Sequence, residues 1–160
     1  MRRSNHILLA VAVSLLVLAV PGSRASAAES RDGEGSVKIA FPKEESVPVD
    51  LRCNKVDLRS VKIDGAPSHH EIHEAREHHS DDTSNLRWIF KCDNEGKHPR
   101  KMTIKVKVYS DDNKVLAEDS RTDTISGEKD RDQISVWTKI RTRDYPKADH
   151  ARIFAECERE

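Results

Sequence analysis

Five histidines, His69, His70, His73, His78 and His79, fall within eleven residues of a 160-residue chain. Imidazoles one helical turn apart can chelate a divalent ion. On a helix, His69 and His73 share a face, His70 and His73 lie within a turn of Glu74, and Glu74 meets His78. The candidate metal ligands are therefore His69, His70, His73 and His78, and zinc or copper would suit them. The same five rings would repel one another once protonated below about pH 6.5, offset in part by Glu71, Glu74 and Glu77. A solvated, mixed-charge helix is the ordinary reading of such a stretch. His73-Glu74 is followed by Ala75-Arg76-Glu77, so the two-histidine helix of a metalloprotease is absent.

Cys53, Cys92 and Cys157 form the second chemically suggestive set. In an oxidising compartment an odd number of cysteines favours one disulfide and one free thiol. Each closes an alternating stretch and shares parity with its apolar residues, so all three approach the core. The expected bond is Cys92–Cys157, since the strands ending in these residues would run the same way on opposite sheets of a sandwich. Cys53–Cys92 competes, because pairing Leu58–Ile63 with Leu86–Lys91 brings Cys53 near Asn94 and Glu95. No local base or helix N-terminus stands by to activate an unpaired thiol.

Trp137 and Phe154 occupy the parity opposite their apolar neighbours. Two exposed aromatics on adjacent strands would make a partner-binding face. Serine nucleophile elbows, glycine-rich phosphate loops and CxxC pairs are absent, and no enzyme activity is expected.

These residues need elements to hold them. Leu86, Trp88, Phe90 and Cys92 alternate with charged neighbours, as do Met102, Ile104, Val106 and Val108. A period of two is the mark of a half-buried strand. Further alternating stretches lie at Val37–Phe41, Val47–Cys53, Asp57–Ile63, Val115–Arg121, Gln133–Ile140 and Ala151–Cys157. Pro67, Ser68 and Glu71 spell a helix start with a capping box, so residues 68–79 read as a short helical insert. Asp111-Asp112-Asn113-Lys114 reads as a hairpin turn.

The first residues suggest export. Met1-Arg2-Arg3, an apolar run from Ile7 to Val20 and Ala25-Ser26-Ala27 make the three-part pattern of a signal peptide, expected to span 1–27. The run of about fourteen residues is short for a spanning helix, which needs roughly 20. Residues 28–36 read as a disordered leader and 37–160 as a single domain. The signal segment carries Arg2, Arg3 and Arg24 and no acid, leaving 25 basic side chains against 28 acidic, or −3 with histidines neutral. That balance disfavours a nucleic-acid partner. With only 4% aromatic residues and 35% charged, the core must be thin and rich in β-branched side chains. The expected fold is an all-β, immunoglobulin-like antiparallel sandwich of about seven or eight strands with one short helical insert.

The run from Trp88 to Glu128 resembles bacterial envelope domains of the FxLYD type, which are immunoglobulin-like. The likeness lies in an aromatic-rich strand ending near Asn94, then Pro99, then a strand ending in Tyr109. The acidic turn Asp111–Asn113, the segment Lys114-Val115-Leu116-Ala117-Glu118 and finally Gly127-Glu128 complete it. The namesake tetrapeptide is absent, and Asn113 stands where the turn glycine is usual. The resemblance implies a fold and an envelope location rather than an activity. The functional expectation is a periplasmic or secreted binding or scaffolding domain, with an unidentified protein or envelope component as partner and no membrane span after cleavage. The alternative is a metal-binding module acting through the histidine insert.

Overall fold

The computed structural model describes residues 29–31, 34–43, 45–128 and 132–158. The expected signal peptide lies outside them. Among the described residues no helix is long and apolar enough to cross a membrane.

Two antiparallel sheets pack face to face. In chain order the strands are β1 (Glu29–Arg31), β2 (Glu34–Ala40), β3 (Val47–Cys53), β4 (Val56–Asp64), β5 (Thr83–Asn94), β6 (Arg100–Ser110), β7 (Val115–Ile125), β8 (Asp132–Arg141) and β9 (Ala148–Cys157). One sheet has the order β1-β2-β9-β6-β7 and the other β3-β4-β5-β8. All eight expected strands are present, and β1 is an addition. It pairs with the start of β2, Glu29 opposite Ser36 and Arg31 opposite Glu34. The stretch expected as a disordered leader is thus partly strand, because a small-residue run can pair once β9 offers β2 an edge.

Alternation decides which side chains enter the core. Met102, Ile104, Val106 and Val108 on β6 face Leu86, Trp88 and Phe90 on β5 across the interior, and all are fully buried. The chain crosses between sheets from β5 to β6 and again from β8 to β9, while β5 pairs with β8 and β6 with β9. That interlocked set is the arrangement of strands B, C, E and F in an immunoglobulin sandwich. The outer strands differ: β2, from the front of the chain, holds the position beside β9 that a last strand holds there.

Turns fix the register. Asn54 and Lys55 both have positive φ, 43° and 67°, the backbone of a two-residue hairpin whose twist matches its strands. Asn113, at φ 61°, closes β6 to β7 as its left-handed tolerance predicts. Between β4 and β5 the hairpin connection is replaced by α1 (His69–Glu77), capped by Ser68 and Glu71 in the expected box. The Glu71 carboxylate accepts from the Ser68 backbone N–H at 2.7 Å, and the Ser68 Oγ accepts from the Glu71 N–H at 3.3 Å. The bonds from Ser68 hold the Glu71 carboxyl below its ordinary range. A 3-10 turn, Thr142–Lys147, packs beside α1. Arg143 on it donates to the His79 carbonyl at 3.0 Å and to Asp81 at 3.1 Å.

Candidate functional site

The histidine insert forms the predicted helix but does not gather its rings around one point. Among the described residues no group of three or more metal-ligating side chains converges. His70 leans on Glu74 and His73 on Glu77, each at 3.5 Å, with all four side chains well exposed. Only Ala75 anchors the helix in the interior. A cleft of ≈ 1060 Å³ under the helix takes Glu71, Glu74, His78 and Asp82. Paired with glutamates along an exposed helix, the imidazoles offer two-ligand chelation at best. Titration calorimetry with zinc and with copper should therefore show no site tighter than about 100 μM. A tighter isotherm that disappears when His69, His70, His73 and His78 become alanine would reinstate the metal module.

The cysteines are all buried, and none is joined to another by a disulfide. Burial pushes the Cys92 thiol up to about 12, so it stays protonated and unreactive at neutral pH. Cys92 and Cys157 are not joined. The group facing Cys157 is Cys53, whose carbonyl accepts from Cys157 Sγ at 3.0 Å. The tight Asn54-Lys55 turn carries the end of β3 against the end of β9, a juxtaposition that strand parity alone does not specify.

Trp137 and Phe154 do not share a face. Trp137 points outward from β8 in the four-stranded sheet and Phe154 outward from β9 in the five-stranded one. β8 and β9 are consecutive yet belong to opposite sheets, so their adjacency in sequence gives no adjacency in space. Trp137 is 49% exposed, yet the Arg87 guanidinium lies 5.6 Å from its ring centroid. Arg87 is fixed in turn by Ser135 at 3.1 Å.

The face around Phe154 is richer. Outward positions across the five-stranded sheet line up by register. Lys38 stands opposite Arg152, Arg152 opposite Lys107, and Lys107 opposite Glu118. One step along, Ser36, Phe154, Lys105 and Ser120 form the next row. The second row and Lys107 wall a groove of ≈ 550 Å³ whose lining also includes the acids Glu34 and Glu156, while Lys38 and Arg152 lie outside it. At its side Tyr109 stacks on His150, centroids 5.1 Å apart and planes 8° from parallel. The Glu118 carboxylate bridges Lys105 and, at 3.1 Å, Lys107. Those two ammonium groups hold it below the usual carboxylate range.

Lys38 and Arg152 have no ion-pair partner among the described residues. Cations directly opposite one another on neighbouring strands repel. The sequence shows each of these bases as an outward strand position. Their assembly into one row depends on β2 pairing with β9 and β9 with β6, which connects residues far apart in the chain. No protein-family model matches the chain, and no curated protein matches it in sequence.

Proposed function

We propose that the chain is an exported, non-enzymatic binding domain of the cell envelope whose contact surface is the outward face of the five-stranded sheet. The observation that carries this reading is the row Lys38, Arg152 and Lys107 beside the Phe154 groove. The signal-like start of the chain and the likeness of Trp88–Glu128 to FxLYD-type domains support the location. The occupant the face fits is an extended acidic polypeptide segment of a partner protein. Three cations on three adjacent strands make a row about 10 Å long, and carboxylates at i and i+2 of an extended segment stand about 7 Å apart. One such segment along the row meets two of the three cations. Glu118 already displays the chemistry, one carboxylate shared by two lysines, and Phe154 offers apolar surface beside it.

The test uses a fluorescent oligoglutamate peptide as probe, read by anisotropy at low and high salt. The wild-type chain should bind it, and added salt should weaken binding. Arg152→Glu should cost about tenfold or more in affinity, and Phe154→Ala a smaller factor. Trp137→Ala, on the other sheet, should leave it unchanged. Equal binding by Arg152→Glu, or equal loss in Trp137→Ala, would place the contact elsewhere.

A further inference from the structure

Two of the three thiols occupy a position where oxidation would join the sheets. Cys53 ends β3 in one sheet and Cys157 ends β9 in the other. Both are almost fully buried. Two contacts clasp the segments that carry them, and a third seats the end of β9 against β6. Cys157 Sγ donates to the Cys53 carbonyl at 3.0 Å. The Asn54 side-chain amide donates to the Glu158 carbonyl at 2.9 Å. The Glu158 N–H donates to the Lys101 carbonyl at 3.0 Å. The ends of both strands are thereby held together at the thiols and at the residue that follows each of them.

We propose that Cys53 and Cys157 form the disulfide of this domain, an inter-sheet bond between β3 and β9, and that Cys92 remains the free thiol. The oxidant is a disulfide donor of the glutathione or dithiol-oxidoreductase class. Cys53 Sγ gives up its proton and attacks one sulfur of the donor. The donor's S–S bond breaks and one donor thiol leaves with a proton. Cys157 Sγ, deprotonated in turn, attacks Cys53 Sγ, forming the protein S–S bond and releasing the second donor thiol. Two protein thiols are oxidised and one donor disulfide is reduced by the same two electrons.

The order of events follows from the pair's asymmetry. The adjacent Cys157 thiol favours the thiolate of Cys53 and lowers its pKa, while the Cys53 thiol raises the pKa of Cys157. Cys53 is the attacking sulfur. Burial keeps the Cys92 thiol protonated.

The experiment refolds the reduced, unfolded chain with oxidised and reduced glutathione, then unfolds it under acid and maps its cysteines by alkylation and peptide mass spectrometry. The expected product has lost two hydrogens, carries one alkyl group in place of three, and yields a cross-linked peptide pair containing Cys53 and Cys157. Cys92→Ala should give the same cross-link, and Cys53→Ala should give none. A Cys92–Cys157 or Cys53–Cys92 cross-link, or three alkylated cysteines after refolding to the native circular dichroism spectrum, would overturn the assignment.

Discussion

Trp88→Ala is expected to destabilise the domain by about 4 kcal/mol. Trp88 is fully buried in the middle of β5, the strand from which the chain first crosses from the four-stranded sheet to the other. Its register partners are Ile63 on β4 and Val136 on β8. Its ring meets Phe41 edge-on, centroids 5.8 Å apart and planes at 74°, and Phe41 meets Tyr145 in the same way at 5.6 Å. Its Nε1–H donates to Thr138 Oγ1 at 2.9 Å. Truncation removes the largest core side chain, leaves a cavity bounded by two sheets that cannot close independently, and orphans a buried hydroxyl. A domain of this size has about 5–15 kcal/mol in total, so a large share is lost. Urea titration followed by far-ultraviolet circular dichroism reads the effect as a fall in midpoint at unchanged slope. Trp88→Phe should recover the packing in part but not the bond to Thr138. Trp137→Ala, at the surface, should move the midpoint by no more than about 0.5 kcal/mol. A Trp88→Ala variant within 1 kcal/mol of wild type would mean that the core is not centred on β5.

The pairing of Trp88 with Thr138 shows what parity can and cannot say. Alternation placed Trp88 inward and put Thr138 on the apolar side of β8, correctly, but gave no reason for a hydroxyl there. The reason is a partner fifty residues away, visible only once β5 and β8 are neighbours. The same limit governs the site. Each of Lys38, Lys107 and Arg152 was legible as an outward base on its own strand, and none as a member of a row, because the row is made by β2 joining β9 at long range. Trp137 and Phe154 were legible as outward aromatics, but which sheet each strand joins is set by the crossovers, and a period of two is identical on either sheet. The helix start at Ser68 and the turn at Asn113 were readable in full, since capping and left-handed backbone are local chemistry. The approach of Cys53 to Cys157 depended on a turn, Asn54-Lys55, with no glycine to announce it.

Asn94→Ala should cost about 3 kcal/mol, and the cost should be concentrated in one loop. Asn94 is 3% exposed at the end of β5, where its side chain binds three backbone groups, two in the loop that follows and one at the end of β7. Its Nδ2 donates to the His98 carbonyl at 3.0 Å and to the Ile125 carbonyl at 3.3 Å, while its Oδ1 accepts from the Gly96 N–H at 2.9 Å. Alanine leaves these groups without their partner in a buried place, each unsatisfied group costing on the order of 1 kcal/mol or more. Gly127 presses on the same loop from the far end of β7. A Cβ there would stand 2.5 Å from the Lys97 carbonyl oxygen and 2.8 Å from the His98 nitrogen, both backbone atoms, and the next residue, Glu128, donates its N–H to Gly96 at 3.0 Å. The loop between β5 and β6 is therefore clamped by an amide on one side and fitted against a glycine on the other. Gly127→Ala should displace this loop and weaken the bonds Asn94 makes. The two variants combined should thus cost less than the sum of their separate effects. Hydrogen exchange should show lost protection at Gly96 in Asn94→Ala, with the Trp88 amide in the centre of β5 protected as before relative to global stability. Strict additivity of the two substitutions would mean that the loop is held by something other than this shared clamp.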